Sequence, residues 1–277
     1  PFIEESYEKL AHYVNAHKSS MHMKREAIAS AGLWTTKKRY ALHVWDNEGT
    51  RYTSPQLKIS GLESRRSSTP SICREMIEQA IVIILTGTEK EVHKFVRESK
   101  KLFFTLPPEE ISIPITLKNL KKYEQPPQTQ GLRTQALSDK EISSNMGWKR
   151  NSPYHAVGAI AYNNFIHRHD LLSKYELIES GDKVKCCYLK KINPVGPDRI
   201  SFTSSFPTEE NLLSYIDYGM QFDKTFSGPL SKILDAVGWT NGSEPVRQGF
   251  GLPSNFVPSQ PTLPSVTSAM PREEGVL

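Results

Sequence analysis

The stretch Trp34-Thr-Thr-Lys-Lys-Arg-Tyr-Ala-Leu-His-Val-Trp-Asp46 decides how the rest of the chain is read. Three adjacent cations, Lys37, Lys38 and Arg39, lead into an alternating segment. Alternation puts Tyr40, Leu42 and Val44 on one face of a strand and Ala41, His43 and Trp45 on the other. Asp46-Asn-Glu-Gly49 reads as a tight turn and Arg51-Tyr52 as the returning strand. A cationic rung on a rigid hairpin suits a polyanion backbone, because its donors need little ordering before they meet phosphates. Basic residues at the start of a strand are also commonly just solvated. The local pattern therefore does not decide between these readings; the wider arrangement does.

With 277 residues, the chain is long enough for one large domain or two modest ones. Apolar residues make up 37% and the mean hydropathy is −0.48, which fits a folded body with polar excursions. A formal charge of +5 permits a nucleic-acid partner without requiring one. Cys73, Cys186 and Cys187 have no CxxC ligand spacing, so structural zinc is not expected, and their sparse number argues for a reducing compartment. The longest apolar run, Ala80 to Leu85, is far too short to cross a membrane.

Working outward, residues 2–16 have apolar positions at helical spacing, and 21–30 read as a strand and its exit. His17 and His22 lack a carboxylate or cysteine in register and are not expected to hold a metal. Ala29 to Leu33, with Gly32, reads as a turn. Ser54-Pro55 is expected to break the strand after the hairpin, with Leu57 to Leu62 a third extended piece. The sum is a small antiparallel sheet with one covered face.

Thr69 at an N-cap with Pro70 at the first helical position starts a helix that runs to about Leu85. Arg65, Arg66, Ser67, Ser68 and Thr69, with the first-turn amides, could hold a phosphate. The same residues read equally well as an ordinary cap after a solvated loop. Glu89 to Phe103 is a second amphipathic helix. Pro114 makes Ile111 to Leu117 an edge strand or irregular. Residues 118–152 read as a polar excursion with a short helical turn at 138–144. Tyr154 to His167 is a helix, and Leu172 to Glu179 a helical continuation or turn. Lys183 to Ile192 is a strand, with Arg199 to Phe202 its return. Thr208 starts a helix ending at Gly219, and Phe222 to Val237 is another, capped by Gly238. From Asn241 to Leu277 the Pro, Ser, Gly and Thr content reads as a disordered tail.

No constellation for independent catalysis is visible: no Ser-His-Asp arrangement, glycine-rich phosphate loop or HExxH. Asp46, Asp139, Asp170, Asp182, Asp217, Asp223 and Asp235 are scattered, without the close aspartate pair that holds two divalent cations for nucleotidyl transfer. Neither a catalytic residue nor a metal ligand is expected in this chain.

Four islands between about Pro1 and Trp239 resemble family B DNA polymerases of large tailed phages, in their C-terminal part. Tyr7 to Ile28 resembles the end of the palm. Lys37 to Leu42 with Asp46 to Gly49 resembles the basic Lys-x-Tyr motif that follows it. Leu57 to Glu63 with Ser67-Ser-Thr-Pro70 resembles the entry to the thumb, and Tyr215-Ile-Asp217 with Phe222 to Gly238 the closing thumb helices.

The resemblance implies an α+β fold: a palm-end sheet over 1–66, a mainly helical thumb with a few strands over 67–240, and the tail at 241–277. It implies that Lys38, Arg39 and Tyr40 contact the primer strand near its 3′ end, with Lys37 reinforcing the potential. The thumb would grip primer–template duplex through phosphate and sugar. The catalytic aspartates and their Mg²⁺ would lie in the remaining palm, fingers and exonuclease portion, in cis or in trans, so this chain alone is expected to be inactive. The alternative is a non-catalytic duplex-binding or scaffold protein derived from a thumb.

Three departures stand out. The glycine-rich insert before Trp34 is shortened. Val157, Asn163 and Asn164 replace basic residues in the helix from Tyr154, which weakens the expected grip. Pro271 to Leu277 lacks the aromatic anchor of a clamp-binding peptide, so the tail is not expected to bind a sliding clamp. The expected location is intracellular, in the cytoplasm of a phage-infected host.

Overall fold

Three strands joined by two tight turns form the first sheet: β1 (Ala27–Thr36), β2 (Arg39–Asn47) and β3 (Thr50–Ser60), antiparallel in the order β1-β2-β3. This computed structural model describes residues 2–13, which form helix α1 (Phe2–Tyr13), 25–125 and 147–240. All of them lie in one compact unit, Pro1–Glu244. The histidines at 17 and 22, the turn at 138–144 and the tail at 241–277 fall outside the described residues.

The second turn follows the reading from sequence. Glu48 (φ 54°) and Gly49 (φ 92°) both take left-handed backbone, the primed geometry that matches strand twist. Asp46 Oδ1 accepts from the Gly49 amide at 3.0 Å.

Two expectations in this sheet are corrected. Gly32 is not in a turn; it lies within β1, opposite Leu42. Ser54-Pro55 does not end a strand; β3 runs through it. Proline is tolerated there because β3 is an edge strand, and the ladder shifts between Val44↔Gln56 and Asp46↔Arg51, leaving the proline in an irregular stretch.

Leu33, Ala41 and Ile59 lie in register across the sheet and face its core; Leu33 and Ala41 are buried. They pack with α2 (Ser71–Thr86), whose stripe is Cys73, Met76, Ile77, Ala80, Ile81 and Ile84. The expected cap is corrected: Thr69 does not cap α2. Its Oγ1 donates back to the Glu63 carbonyl at 3.1 Å, and the helix starts after Pro70 without a side-chain cap. The α3 helix (Glu89–Phe103) starts where expected. Glu91 Oε2 accepts from both the amide (2.7 Å) and the hydroxyl (3.0 Å) of Thr88.

A second sheet has the order β4-β5-β6, built from β4 (Ile113–Thr116), β5 (Lys183–Tyr188) and β6 (Arg199–Phe202). β4, with Pro114, is at its edge as expected, after a short α4 (Pro108–Ile111). β5 stops at Tyr188 rather than Ile192. The α5 helix (Tyr154–Arg168) lies on β6, and Gly158 lets it approach: a Cβ there would meet Ser201 Oγ at 2.7 Å and Ser201 N at 2.9 Å. Residues 172–179 form turns, without a helix. The two ends of the polar excursion are pinned together, with Gln125 N to Gly147 O at 2.8 Å and Lys149 N to Tyr123 O at 2.9 Å.

The C-terminal helices differ most from the reading of sequence. Glu209–Tyr215 is a 3₁₀ segment with left-handed Glu210 and Asn211, not a regular helix. Gly219 does not end a helix but lies in the first turn of one. Asp217 accepts from the Met220 amide and caps α6 (Tyr218–Phe222). A π segment (Asp223–Ser227) then leads into α7 (Gly228–Leu234) and a last turn ending at left-handed Gly238. Phe222, Phe226, Leu230, Ile233 and Leu234 bury against α2 and α3. The fold is α+β, with two small antiparallel sheets.

Candidate nucleic-acid interface

Lys37 and Lys38 form the whole connection between β1 and β2, since Thr36 pairs with Arg39. The cations therefore sit in the turn itself rather than on the run into the strand. Both lysines are exposed, and Arg39 and Tyr40 are half-buried. Among the described residues none of Lys37, Lys38 and Arg39 has a carboxylate within ion-pair distance. Three neighbouring positive charges left without counterions repel one another, and a polyanion relieves that repulsion.

The turn is fixed from β3. Lys38 has φ 65°, and its carbonyl accepts from Ser60 Oγ at 3.4 Å. Gly61 (φ +65°) lies directly against it: a Cβ at Gly61 would be 2.6 Å from the Lys38 oxygen and 3.0 Å from Arg39 Cγ. Glycine is required twice there, by backbone angle and by space. This contact sets the cations at the point where β3 hands over to the 3₁₀ turn Glu63–Arg65 and then α2.

Arg65 and Arg66 are adjacent in sequence to this point but differ in state. Arg66 Nε pairs with Glu63 at 2.6 Å and Arg65 with Glu78 at 3.6 Å. Ser67 and Ser68 are exposed in the loop, and the buried Thr69 hydroxyl is committed to Glu63. The structure thus brings Lys37 and Lys38 in the turn next to Arg39 and Tyr40 at the start of β2, and places Arg65 to Thr69 at and after a 3₁₀ turn where both arginines have carboxylate partners.

Sequence reasoning missed three contributors. Asp46, read only as a turn residue, is 2% exposed and anchors the hairpin, accepting from Arg25 at 2.9 Å with Arg51 at 3.9 Å. Lys58 belongs to the sheet face that carries Tyr40, and donates to Glu26 (2.6 Å) and Asn47 (3.0 Å). The Glu26 hydrogen bond raises the Lys58 ammonium above its ordinary pKa and lowers that of the Glu26 carboxyl. Trp34, directly across from Tyr40, is 63% exposed. The signal for Trp34 was its spacing of two from Gly32 within a strand, which the turn assignment hid.

Away from the hairpin, a cleft of about 910 Å³ lies between α5, the 3₁₀ turn Leu120–Lys122 and the turn Asn193–Gly196, with Lys121 and Arg168 as its cations. Asn163 was read as the loss of a basic contact. Its amide is a backbone clamp: Oδ1 accepts from Ile178 N at 2.8 Å and Nδ2 donates to Ile178 O at 2.9 Å. Cys73, Cys186 and Cys187 are free thiols, pushed up by burial to about 11, 11 and 12. No group of metal-ligating side chains occurs among the described residues, and no helix among them is long and apolar enough to cross a membrane.

No family model matches the chain. Two curated proteins do. The DNA-directed DNA polymerase of Enterobacteria phage T4 is 31% identical over 251 residues, covering 86% of this chain and 25% of that protein. The DNA-directed DNA polymerase of Escherichia phage RB69 is 31% identical over 249 residues, again 86% of this chain and 25% of that protein. The chain spans about a quarter of the length of these relatives. Over most of its residues, then, this α+β chain with its cationic hairpin is a sequence relative of the family B DNA polymerases of large tailed phages.

Proposed function

We propose that this chain supplies the end of the palm and the thumb of a DNA-directed DNA polymerase. It holds primer–template duplex through its backbone while the chemistry occurs on other residues. The observation that carries this reading is the Lys37-Lys38-Arg39 turn. Its lysines are exposed, none of the three cations has a carboxylate partner among the described residues, and the turn lies against Gly61.

In this reading Lys38, Arg39 and Tyr40 meet the primer strand near its 3′ end, and Lys37 adds to the potential. The contacts are to phosphate and sugar, because a replicative enzyme accepts any sequence. Two Mg²⁺ ions, held by carboxylates outside this chain, would stabilise developing charge and activate the primer 3′-hydroxyl, and this chain's part is positioning. The partners are the primer–template duplex and the remaining palm, fingers and exonuclease portion.

The test measures affinity for a primer–template duplex against salt, and primer extension before and after adding that remaining portion. Binding with a clear salt slope, and extension only on mixing, support the reading. Lys38→Ala is expected to weaken extension more than duplex binding, and equal losses would remove the primer-terminus role. Binding without extension in any mixture would favour a non-catalytic duplex-binding protein.

A further inference from the structure

The outward face of the first sheet carries an aromatic that the cationic turn does not explain. Trp34 stands opposite Tyr40, and two residues earlier Gly32 stands opposite Leu42. Directly paired residues share a face, so Gly32, Trp34, Tyr40 and Leu42 lie together on the side away from the buried Leu33–Ala41–Ile59 row. The indole folds back over Gly32. A Cβ on Gly32 would lie 2.8 Å from Trp34 Cη2, 3.0 Å from its Cζ3 and 2.7 Å from Leu42 Cδ2. The ring thus lies over the bare backbone of Gly32, with Leu42 at the edge of the same gap, and Trp34 stays 63% exposed. A seated ring gives up little rotamer freedom on contact, and its exposed face is the costly part to leave wet.

Its surroundings say what covers it. The nearest charged residues in sequence are Lys37 and Lys38 in the adjoining turn, both exposed, and Arg39 beyond them, none with a carboxylate partner among the described residues. A flat aromatic beside unpaired cations complements a ligand that is anionic along its backbone and apolar on its rings. A nucleic-acid strand has this chemistry: phosphates for the turn, and sugar and base faces for the ring.

Building on the polymerase reading above, we propose that Trp34 is a DNA-contacting residue. Its open ring face would pack on a sugar or base of the strand whose phosphates Lys37 and Lys38 hold. The contact is apolar, so it adds affinity without adding to the salt dependence.

The experiment titrates the full chain with a fluorescently labelled primer–template duplex at several salt concentrations, for the wild type and for Trp34→Phe, Trp34→Leu and Lys38→Ala. Circular dichroism melting of each variant runs alongside. Trp34→Leu keeps an apolar cover on Gly32 but removes the flat face. It is expected to weaken binding about tenfold with the slope of log affinity against log salt unchanged, while Trp34→Phe stays within about threefold of wild type. Lys38→Ala is expected to lower the slope by about 0.9.

Unchanged affinity in Trp34→Leu, with Lys38→Ala still active on the slope, would overturn the contact and leave the polymerase reading standing. Its ring would then only cover Gly32, or would serve the rest of the polymerase. A slope lowered in Trp34→Leu would mean a disturbed turn, which also overturns it. No duplex binding by the folded wild type would overturn both.

Discussion

Two basic clusters, Lys37-Lys38-Arg39 and Arg65-Arg66, look alike in sequence and are opposite in structure. The first spans the two-residue turn and the first position of β2, with no carboxylate partner among the described residues. The second lies in a 3₁₀ turn where Glu63 and Glu78 neutralise it. A run of cations is a binding surface only if the fold withholds its counterions. Local helical turns bring side chains three residues apart together, as with Glu63 and Arg66. At this hairpin tip the lysine side chains are exposed, and no carboxylate among the described residues is within ion-pair distance of them.

The largest test of this contrast removes the free charges. The triple variant Lys37→Ala, Lys38→Ala, Arg39→Ala should lower duplex affinity by tenfold or more at moderate salt. It should also flatten the salt slope by about 2 to 3, read by anisotropy titration at several ionic strengths.

Next is Gly61→Ala, which tests whether the turn is held in place by the handover to α2. The added methyl meets the Lys38 carbonyl at φ +65°, so a loss of about 1–3 kcal/mol is expected in urea denaturation, with duplex affinity falling as well. Full stability would show that the backbone there yields easily.

The smallest effect is expected from Arg65→Ala and Arg66→Ala. Each should change duplex affinity less than about twofold, and stability by no more than about 1 kcal/mol, because the pairs are partly exposed. A change as large as that of the triple variant would erase the distinction between the clusters.

The same contrast shows how far sequence could be read. The hairpin and its second turn were legible because Asn47 to Thr50 carries its own geometry and residues 40–45 alternate, whereas the full span of β1 was not. Gly32 was misassigned because glycine marks turns, and here a neighbouring indole covers the gap it leaves. Pro55 was misassigned because a proline says nothing about which strand is at the edge. Thr69 and Thr208 precede plausible helices, but tertiary partners decide where their hydroxyls and backbones go. The cations are visible in the sequence, whereas their carboxylate partners are not. Ion pairing between Arg65 and Glu78 depends on a turn and a helix start that no local pattern fixes.

Gln221 has a consequence of another kind. Fully buried, it donates to Ile111 O at 2.7 Å and accepts from Tyr188 N at 3.0 Å. Ile111 and Tyr188 serve different neighbourhoods: Ile111 belongs to the core under the first sheet, while Tyr188 closes a strand of the second. This amide is one of the ties between the two cores, beside the bond from Phe206 N to Glu109 Oε1 at 2.8 Å and Tyr218, which packs against both. The intact chain should therefore give a single calorimetric transition. Gln221→Leu, which strands the Tyr188 amide and the Ile111 carbonyl, should lower and broaden that transition.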